Sequence, residues 1–250
     1  MKTLNAFQFN ACPQIPPVLH RTQMEVVEFC NARFRDYYPM VADAALQRAV
    51  EGGFTTIVEL GAGCGPLTER MAADPRATNI RFIVCDLIPD LAAFRRLIDR
   101  FPGRVEAIEE PVDFSLRRDW GSQTLLLLSA AFHHVPVEKR LGVLQALSES
   151  AGGVMIFSTV RKTPWCLLTA PLVVIPSLLL PVAFWKRPGR LRRILWCWLL
   201  PLVPLMTMWD AVGGCLRQWS GRDWKEAEDR SAGLRPLEVR ESLNVQAVLV

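Results

Sequence analysis

The spacing of apolar and polar positions divides the chain into four zones. Between residues 54 and 160, short apolar runs alternate with segments of helical period. Thr55–Leu60, Ile80–Cys85, Val105–Ile108, Thr124–Leu128 and Val154–Thr159 read as five strands. Leu67–Ala73, Leu91–Phe101 and Val137–Ser150 read as the helices between them. The Thr124–Leu128 run is apolar on both faces, as a strand in the middle of a parallel sheet must be. Strand and helix alternating at this spacing predict an α/β fold with a doubly wound, mostly parallel sheet.

The flanking zones have other rhythms. Residues 1–53 form an N-terminal helical extension or lid. A Pro-containing entry (Pro13, Pro16, Pro17) leads into helical periodicity through Met24, Val27, Ala32 and Phe34, and again over Val41–Val50, before Gly52-Gly53. Residues 164–209 break the α/β pattern. Trp165–Trp185 carries no charge, Lys186–Arg193 holds five positive residues, and Ile194–Trp209 is again uncharged. An apolar helical hairpin inserted into the domain is expected there. Residues 210–250 return to mixed composition and to the α/β domain, with Val245–Val250 as a closing strand.

Composition changes this picture in three places. Half of the 250 residues are hydrophobic, a high share for a soluble domain of this size, and the insertion is where the excess lies. The net charge of +4 is small and much of it sits in the Lys186–Arg193 run, so no nucleic-acid partner is expected. Seven cysteines are scattered singly with no Cys-x-x-Cys or Cys/His spacing, which predicts no metal site and small buried thiols in a reducing compartment. Met1–Gln14 has no long apolar core, so no secretory signal is expected and the chain should begin in the cytoplasm.

The sharpest local signal is Val58-Glu59-Leu60-Gly61-Ala62-Gly63-Cys64-Gly65, between a strand and a helix. Gly61 and Gly63 let the backbone turn tightly and approach a ligand with no side chain between. The following helix start offers free N–H groups. Asp86 ends the next strand, where a carboxylate can accept both hydroxyls of a ribose. The glycines run G-x-G-x-G rather than the dinucleotide pattern G-x-G-x-x-G, whose third glycine packs helix on strand; Pro66 stands at that position.

This loop resembles motif I, acidic-x-G-x-G-x-G, of class I S-adenosylmethionine-dependent methyltransferases, and the resemblance covers roughly residues 54–160. It implies a Rossmann-like core with S-adenosylmethionine as cofactor. Glu59, Gly61, Ala62, Gly63 and Gly65 would surround the methionine portion, Asp86 would hold the ribose, and Leu87 would lie beside the adenine. Asp113-Phe114 resembles the adenine-contacting region after the third strand. Ser129-Ala130 matches the fourth-strand motif near the transferred methyl group.

Phe132-His133-His134 follows the fourth strand, on the side where open α/β sheets bind ligands. Either His133 or His134 accepts a proton from the nucleophile, or both serve the loop's own packing. Trp209-Asp210 and Leu216-Arg217 resemble a segment of some small-molecule methyltransferases. Asp210 and Arg217 either face the substrate pocket or form a solvated helix pair. Tyr37-Tyr38 is a lid over the site or part of the core.

Trp165–Trp185 is long enough to span hydrocarbon, but Pro171, Pro176 and Pro181 interrupt it. Ile194–Trp209, about 24 Å as a helix, falls short. A crossing with both ends cytoplasmic would also put five positive charges outside. A re-entrant or interfacial hairpin at the cytoplasmic face, its tryptophans at the interface and its basic loop on anionic lipid, avoids that conflict. Spanning and a soluble cap over the pocket are the alternatives.

The expected activity is methyl transfer from S-adenosylmethionine to O, N or C of a hydrophobic small molecule, with membrane lipid as a further partner. Two rivals remain: an NAD-dependent reductase, disfavoured by the glycine spacing and the lack of a Tyr-x-x-x-Lys pair, and a membrane-associated binding protein with a non-catalytic Rossmann-like domain.

Overall fold

The computed structural model describes residues 5–12, 14–33, 37–158, 162–230, 238–241 and 246–249. Expectations for Met1–Leu4, Pro13, Phe34, Thr159, Val245 and Val250 lie outside the described residues. The chain divides into two compact units. The sheet unit takes 37–159 and 219–250, and the helical unit takes 1–36 and 160–218.

The sheet unit begins with α2 (Tyr37–Glu51), so called because α1 (Pro17–Arg33) belongs to the helical unit. It continues through β1 (Thr56–Leu60), α3 (Pro66–Ala72), β2 (Arg81–Cys85), α4 (Leu91–Arg100), β3 (Val105–Ala107), β4 (Gly121–Ser129), α5 (Arg140–Ser150) and β5 (Ala151–Ser158). Each expected strand and helix of the 54–160 zone is present within a few residues of its predicted ends. The helix expected from Val137 opens as a 3-10 turn, Val137–Lys139, before α5.

The strand order is β3-β2-β1-β4-β5-β7-β6. The first five strands are parallel, in the order of a doubly wound sheet. After α10 (Gly221–Arg230), β6 (Glu238–Glu241) and β7 (Gln246–Leu249) complete the sheet, β7 antiparallel to β5. β7 falls within the expected closing strand; β6 has no counterpart in the sequence reading. The period-2 geometry of a strand sends neighbouring residues to opposite faces. Ile57, Leu125 and Phe157 therefore join Leu46 of α2, Leu67 of α3 and Phe94 of α4 in one core. Val58, Leu126 and Ile156 join Leu144 of α5 and Trp224 of α10 in the other. Because α2 is part of the first core, the expected boundary at residue 53 moves to 36/37.

The helical unit contains α1, then α6 (Pro164–Thr169), a 3-10 turn over Ala170–Val173, α7 (Val174–Ala183), α8 (Arg190–Ile194), a π-turn over Leu195–Leu199 and α9 (Leu202–Arg217). Since α9 runs through residues 209 and 210, the expected boundary there is replaced by one at 218/219. Prolines do not break the first arm: Pro164–Ala183 is one helical stretch of 20 residues, passing Pro171 through the 3-10 turn. They do bend the second arm, where Arg190–Leu199 meets Leu202–Arg217 at 72° next to Pro201. Leu19, Val26 and Phe29 of α1 pack against Leu180, Phe184 and Met206.

The basic run is not a free cluster. Arg193 is 1% exposed and donates to Glu25 Oε2 at 2.8 Å and to the carbonyls of Phe184, Arg187 and Pro188. Arg192 donates to Glu25 Oε1 at 2.6 Å. Two of the five charges expected on lipid thus point inward and clamp the turn between the arms onto α1.

Candidate active site

The central strand β1 lies between β2 and β4, and their carboxyl ends bring three segments side by side. The Gly61–Gly65 loop follows β1, Asp86 follows β2, and Ser129-Ala130 follows β4. This is the switch point of the sheet, where the connections diverge to either side and leave a crevice.

The loop's three glycines are all in the left-handed region, at φ +78°, +59° and +76°. At two of them space matters as well. A Cβ on Gly61 would lie 2.8 Å from Cβ of Ala131, and one on Gly65 would lie 2.3 Å from Leu97 Cδ1 of α4. The Gly61 and Ala62 N–H groups both donate to the Cys85 carbonyl at 3.0 Å, binding the loop to the end of β2. Asp86, half-buried, adds a third tie. Its Oδ2 accepts the Gly63 N–H at 2.8 Å and its Oδ1 accepts the Ile88 N–H at 2.9 Å. Each carboxylate oxygen can accept about two hydrogen bonds.

Glu59 sits beneath the loop rather than on it. It is 2% exposed, and its Oε2 accepts the backbone N–H and the hydroxyl of Thr68 in the first turn of α3. Burial pushes its carboxyl up to about 7, against the two Thr68 hydrogen bonds, which pull it down. The sequence placed an acid before the glycines; that it caps the helix after them depends on Thr68. The Cys85 thiol, donating to the Glu59 carbonyl, is pushed up to about 12 by burial and is inert at neutral pH.

The other expected residues fall as follows. Leu87 is exposed beside Asp86. Asp113 is exposed and accepts the Ser115 N–H, while Phe114 is half-buried against the second core. The Val112 N–H donates to the Asp86 carbonyl, drawing that segment to the end of β2. Ser129 Oγ lies 3.1 Å from Tyr37 Oη. Tyr37 is wholly buried in the first core, with Tyr38 half-buried beside it, so core packing describes Tyr37. Ala130 has φ +55°, the one non-glycine in the left-handed region among the described residues. Such strain gathers at ligand sites, and nothing in an Ser-Ala-Ala sequence announces it.

His133 and His134 occupy a 3-10 turn, Phe132–His134, with ring centroids 4.2 Å apart. His133 is buried and His134 partly so. Arg140, 1% exposed, holds this turn by donating to the carbonyls of His133 and Val135, both at 2.9 Å. Phe132 stacks on Trp224, centroids 5.5 Å apart, and meets Trp219 edge-on. Sequence reasoning missed Arg140, Trp219 and Trp224; the only signal was two tryptophans five apart at the start of an otherwise polar helix.

Asp210 and Arg217 are not a solvated pair. Both lie in α9 of the helical unit, 7% and 8% exposed. Asp210 accepts the Phe9 and Asn10 N–H groups at 2.7 and 2.8 Å and Gln23 Nε2 at 2.7 Å. Arg217 donates to the Ala6 carbonyl at 2.7 Å. They moor the N-terminal strip of the chain by pairing its half-buried backbone groups.

No family model matches the sequence, and no curated protein is significantly similar to it. Solved structures are similar in fold. An O-methyltransferase family protein from Burkholderia thailandensis superposes with a TM-score of 0.56 at 15% identity, over 90% of this chain and 58% of that one. Human N-acetylserotonin methyltransferase, solved in complex with S-adenosylmethionine, gives 0.54 at 14% identity, over 93% and 56%. This chain therefore spans less than two thirds of the length of either. With its parallel five-strand core, antiparallel β7 and glycine turn at the switch point, the chain has the Rossmann-like fold of the class I methyltransferases.

Proposed function

We propose that the protein transfers a methyl group from S-adenosylmethionine to O, N or C of a hydrophobic small molecule, at the cytoplasmic face of a membrane. The observation that carries this reading is the clasp between Asp86 and the Gly63 N–H. It sets a carboxylate against a side-chain-free turn at the carboxyl end of the central strand. The chemistry of the residues fits the donor. Gly61 lets the turn pack directly against Ala131 in a left-handed conformation, Asp86 suits a ribose diol, and the G-x-G-x-G spacing does not supply the third glycine that a pyrophosphate-binding turn uses. When bound, S-adenosylmethionine supplies an electrophilic methyl group on a sulfonium.

The chain's own work is to orient and to exclude water. Gly61–Gly65 and Asp86 hold the donor, Leu87 and Phe114 offer apolar surface for its base, and Ser129 with strained Ala130 borders the reacting end. Alignment of donor and acceptor supplies much of the rate in a direct displacement. For an acceptor that is protonated at working pH, an imidazole of His133 or His134 takes the proton. Alanine there then costs about 10²–10⁴-fold in rate, and little for an acceptor already deprotonated.

Calorimetric titration with S-adenosylmethionine and with NADH tests the donor, and transfer of a labelled methyl group into an organic extract tests catalysis. Binding of NADH in place of S-adenosylmethionine would make the protein a reductase. Donor binding with no transfer to any extractable acceptor would make it a binding protein.

A further inference from the structure

The helical unit wears its apolar surface outward. On the first arm Trp165, Leu168, Leu172, Ile175, Leu179 and Val182 recur at intervals of three and four, one face of a helix, and all are exposed, several by more than half. On α9 the same holds for Leu202, Leu205 and Trp209. The opposite faces, through Leu180, Val203 and Met206, are buried against α1. An ordinary surface helix has the reverse polarity, and exposed apolar patches of this extent mark an interaction surface.

We propose that this outward face is a bilayer-docking surface, lying in the plane of the interface and held there by insertion of apolar side chains rather than by its basic loop. This rests on the membrane-surface part of the proposed function and specifies which face binds and by what force. Three observations select lipid. The surface contains no charge from Trp165 to Trp185, and exposed Trp165 and Trp185 flank that run, as amphipathic rings that favour the headgroup boundary. The most apolar 18 residues of the stretch Pro164–Ala183 have a mean hydropathy of 2.2, and only 17% of them are buried. The orientation follows from α1, which packs against α7 and α9 and carries exposed Arg21 together with Glu25 and Glu28. A hairpin crossing the hydrocarbon would drag those charges in with it; a hairpin lying flat keeps α1 on the aqueous side.

The ion pairs decide the force. Arg192 and Arg193 are engaged by Glu25, and Arg187 faces Glu28 at 3.4 Å, so only Lys186 and Arg190 of the five lack an acid partner among the salt bridges of the described residues. Two solvated charges add little beside the sixteen exposed large apolar side chains between Trp165 and Trp209.

Sedimentation of the whole protein with phosphatidylcholine vesicles, and with vesicles also containing phosphatidylserine, tests this without any methyl donor. Both vesicles are expected to bind it, the anionic one no more than about thirtyfold more tightly, the most that two basic side chains add. Binding to phosphatidylcholine should change little between ~0.1 and ~1 M salt, where screening shortens from ~10 to ~3 Å. Leu172→Glu with Ile175→Glu, and separately Leu205→Glu, should each cut binding by at least about tenfold per side chain with an unchanged circular dichroism spectrum. Lys186→Ala with Arg190→Ala should leave binding to phosphatidylcholine within about threefold and remove at most that roughly thirtyfold preference for the anionic vesicle.

Three results would overturn the proposal: binding confined to anionic vesicles and abolished by salt, no binding to either vesicle, or self-association without vesicles that Leu172→Glu disperses. Should a folded acidic variant be unobtainable, the salt and lipid series on the unaltered protein still decides. Loss of vesicle binding with intact donor titration would refute this surface alone, and the converse would refute the donor site alone.

Discussion

The Glu59 carboxylate is joined to Thr68 twice, accepting its backbone N–H at 3.1 Å and its hydroxyl at 2.6 Å. This ties the end of β1 to the first turn of α3 beneath the glycine loop, so the loop is fixed at both ends by one buried acid.

Its titration gives the first prediction. The folded carboxyl is raised from 4.5 to about 7, chiefly by burial. A raised acid favours folding fully below the unfolded value and loses that contribution as pH rises through the folded one. Stability should therefore fall between about pH 4.5 and about pH 7, by up to about 3 kcal/mol from this group. Glu59→Gln keeps an acceptor for Thr68 and removes the titration. The difference in unfolding free energy between the two proteins should shift toward the variant by that amount from low to neutral pH. A constant difference in urea titrations would show that Glu59 does not titrate in this window.

Asp86→Ala removes the clasp on Gly63 and Ile88 together with the acceptor proposed for the ribose. Affinity for S-adenosylmethionine should drop by about 10–100-fold, the range for hydrogen bonds to a charged group. Asp86→Asn, which keeps one acceptor oxygen, should lose less. Calorimetry reads both, and unchanged affinity in the alanine variant would sink the proposed site.

Backbone geometry at the loop predicts an ordering among small substitutions. Gly65→Ala meets both a left-handed φ and Leu97, and should destabilise by about 2–4 kcal/mol. Gly53→Ala has φ +67° but nothing within 4 Å, and should cost about 1 kcal/mol. At Ala130 the sign reverses: glycine relieves the strain and should be neutral or stabilising by up to about 1 kcal/mol. Thermal unfolding of the three variants ranks them directly.

Asp210→Ala leaves two backbone N–H groups and the Gln23 amide without their acceptor. Loss of about 2–4 kcal/mol from the helical unit is expected. Amide exchange at Phe9 and Asn10 should accelerate in step, which a role in substrate contact alone would not produce.

Arg140→Lys retains the charge but not the fork that reaches both His133 and Val135 carbonyls. Destabilisation of about 1–3 kcal/mol is expected, with a lowered methyl-transfer rate if the histidine turn borders the acceptor. Unaltered stability would mean that the turn holds itself.

Much of the sheet unit was legible along the chain because its signals are local. Apolar runs such as Leu125–Leu128 are buried on both faces wherever they sit in a parallel sheet, and glycines at Gly61, Gly63 and Gly65 mark a turn no other residue makes cheaply. The sites that misled are those whose partner is distant. Asp210 reads as a pocket or surface acid until Phe9 and Asn10, 200 positions away, arrive to use it. Arg192 and Arg193 read as a lipid-facing pair until Glu25 claims them.

Sequence alone therefore determined the alternation of strand and helix, the place of the glycine turn and the carboxylate at the end of the second strand, all set by periodicity and backbone sterics. Tertiary structure decided that α2 belongs with the sheet, that Glu59 faces inward, that Ala130 is strained and which charges of the insertion are spent internally. Those depend on which groups are desolvated together, and desolvation is a property of the packed chain rather than of any stretch of it.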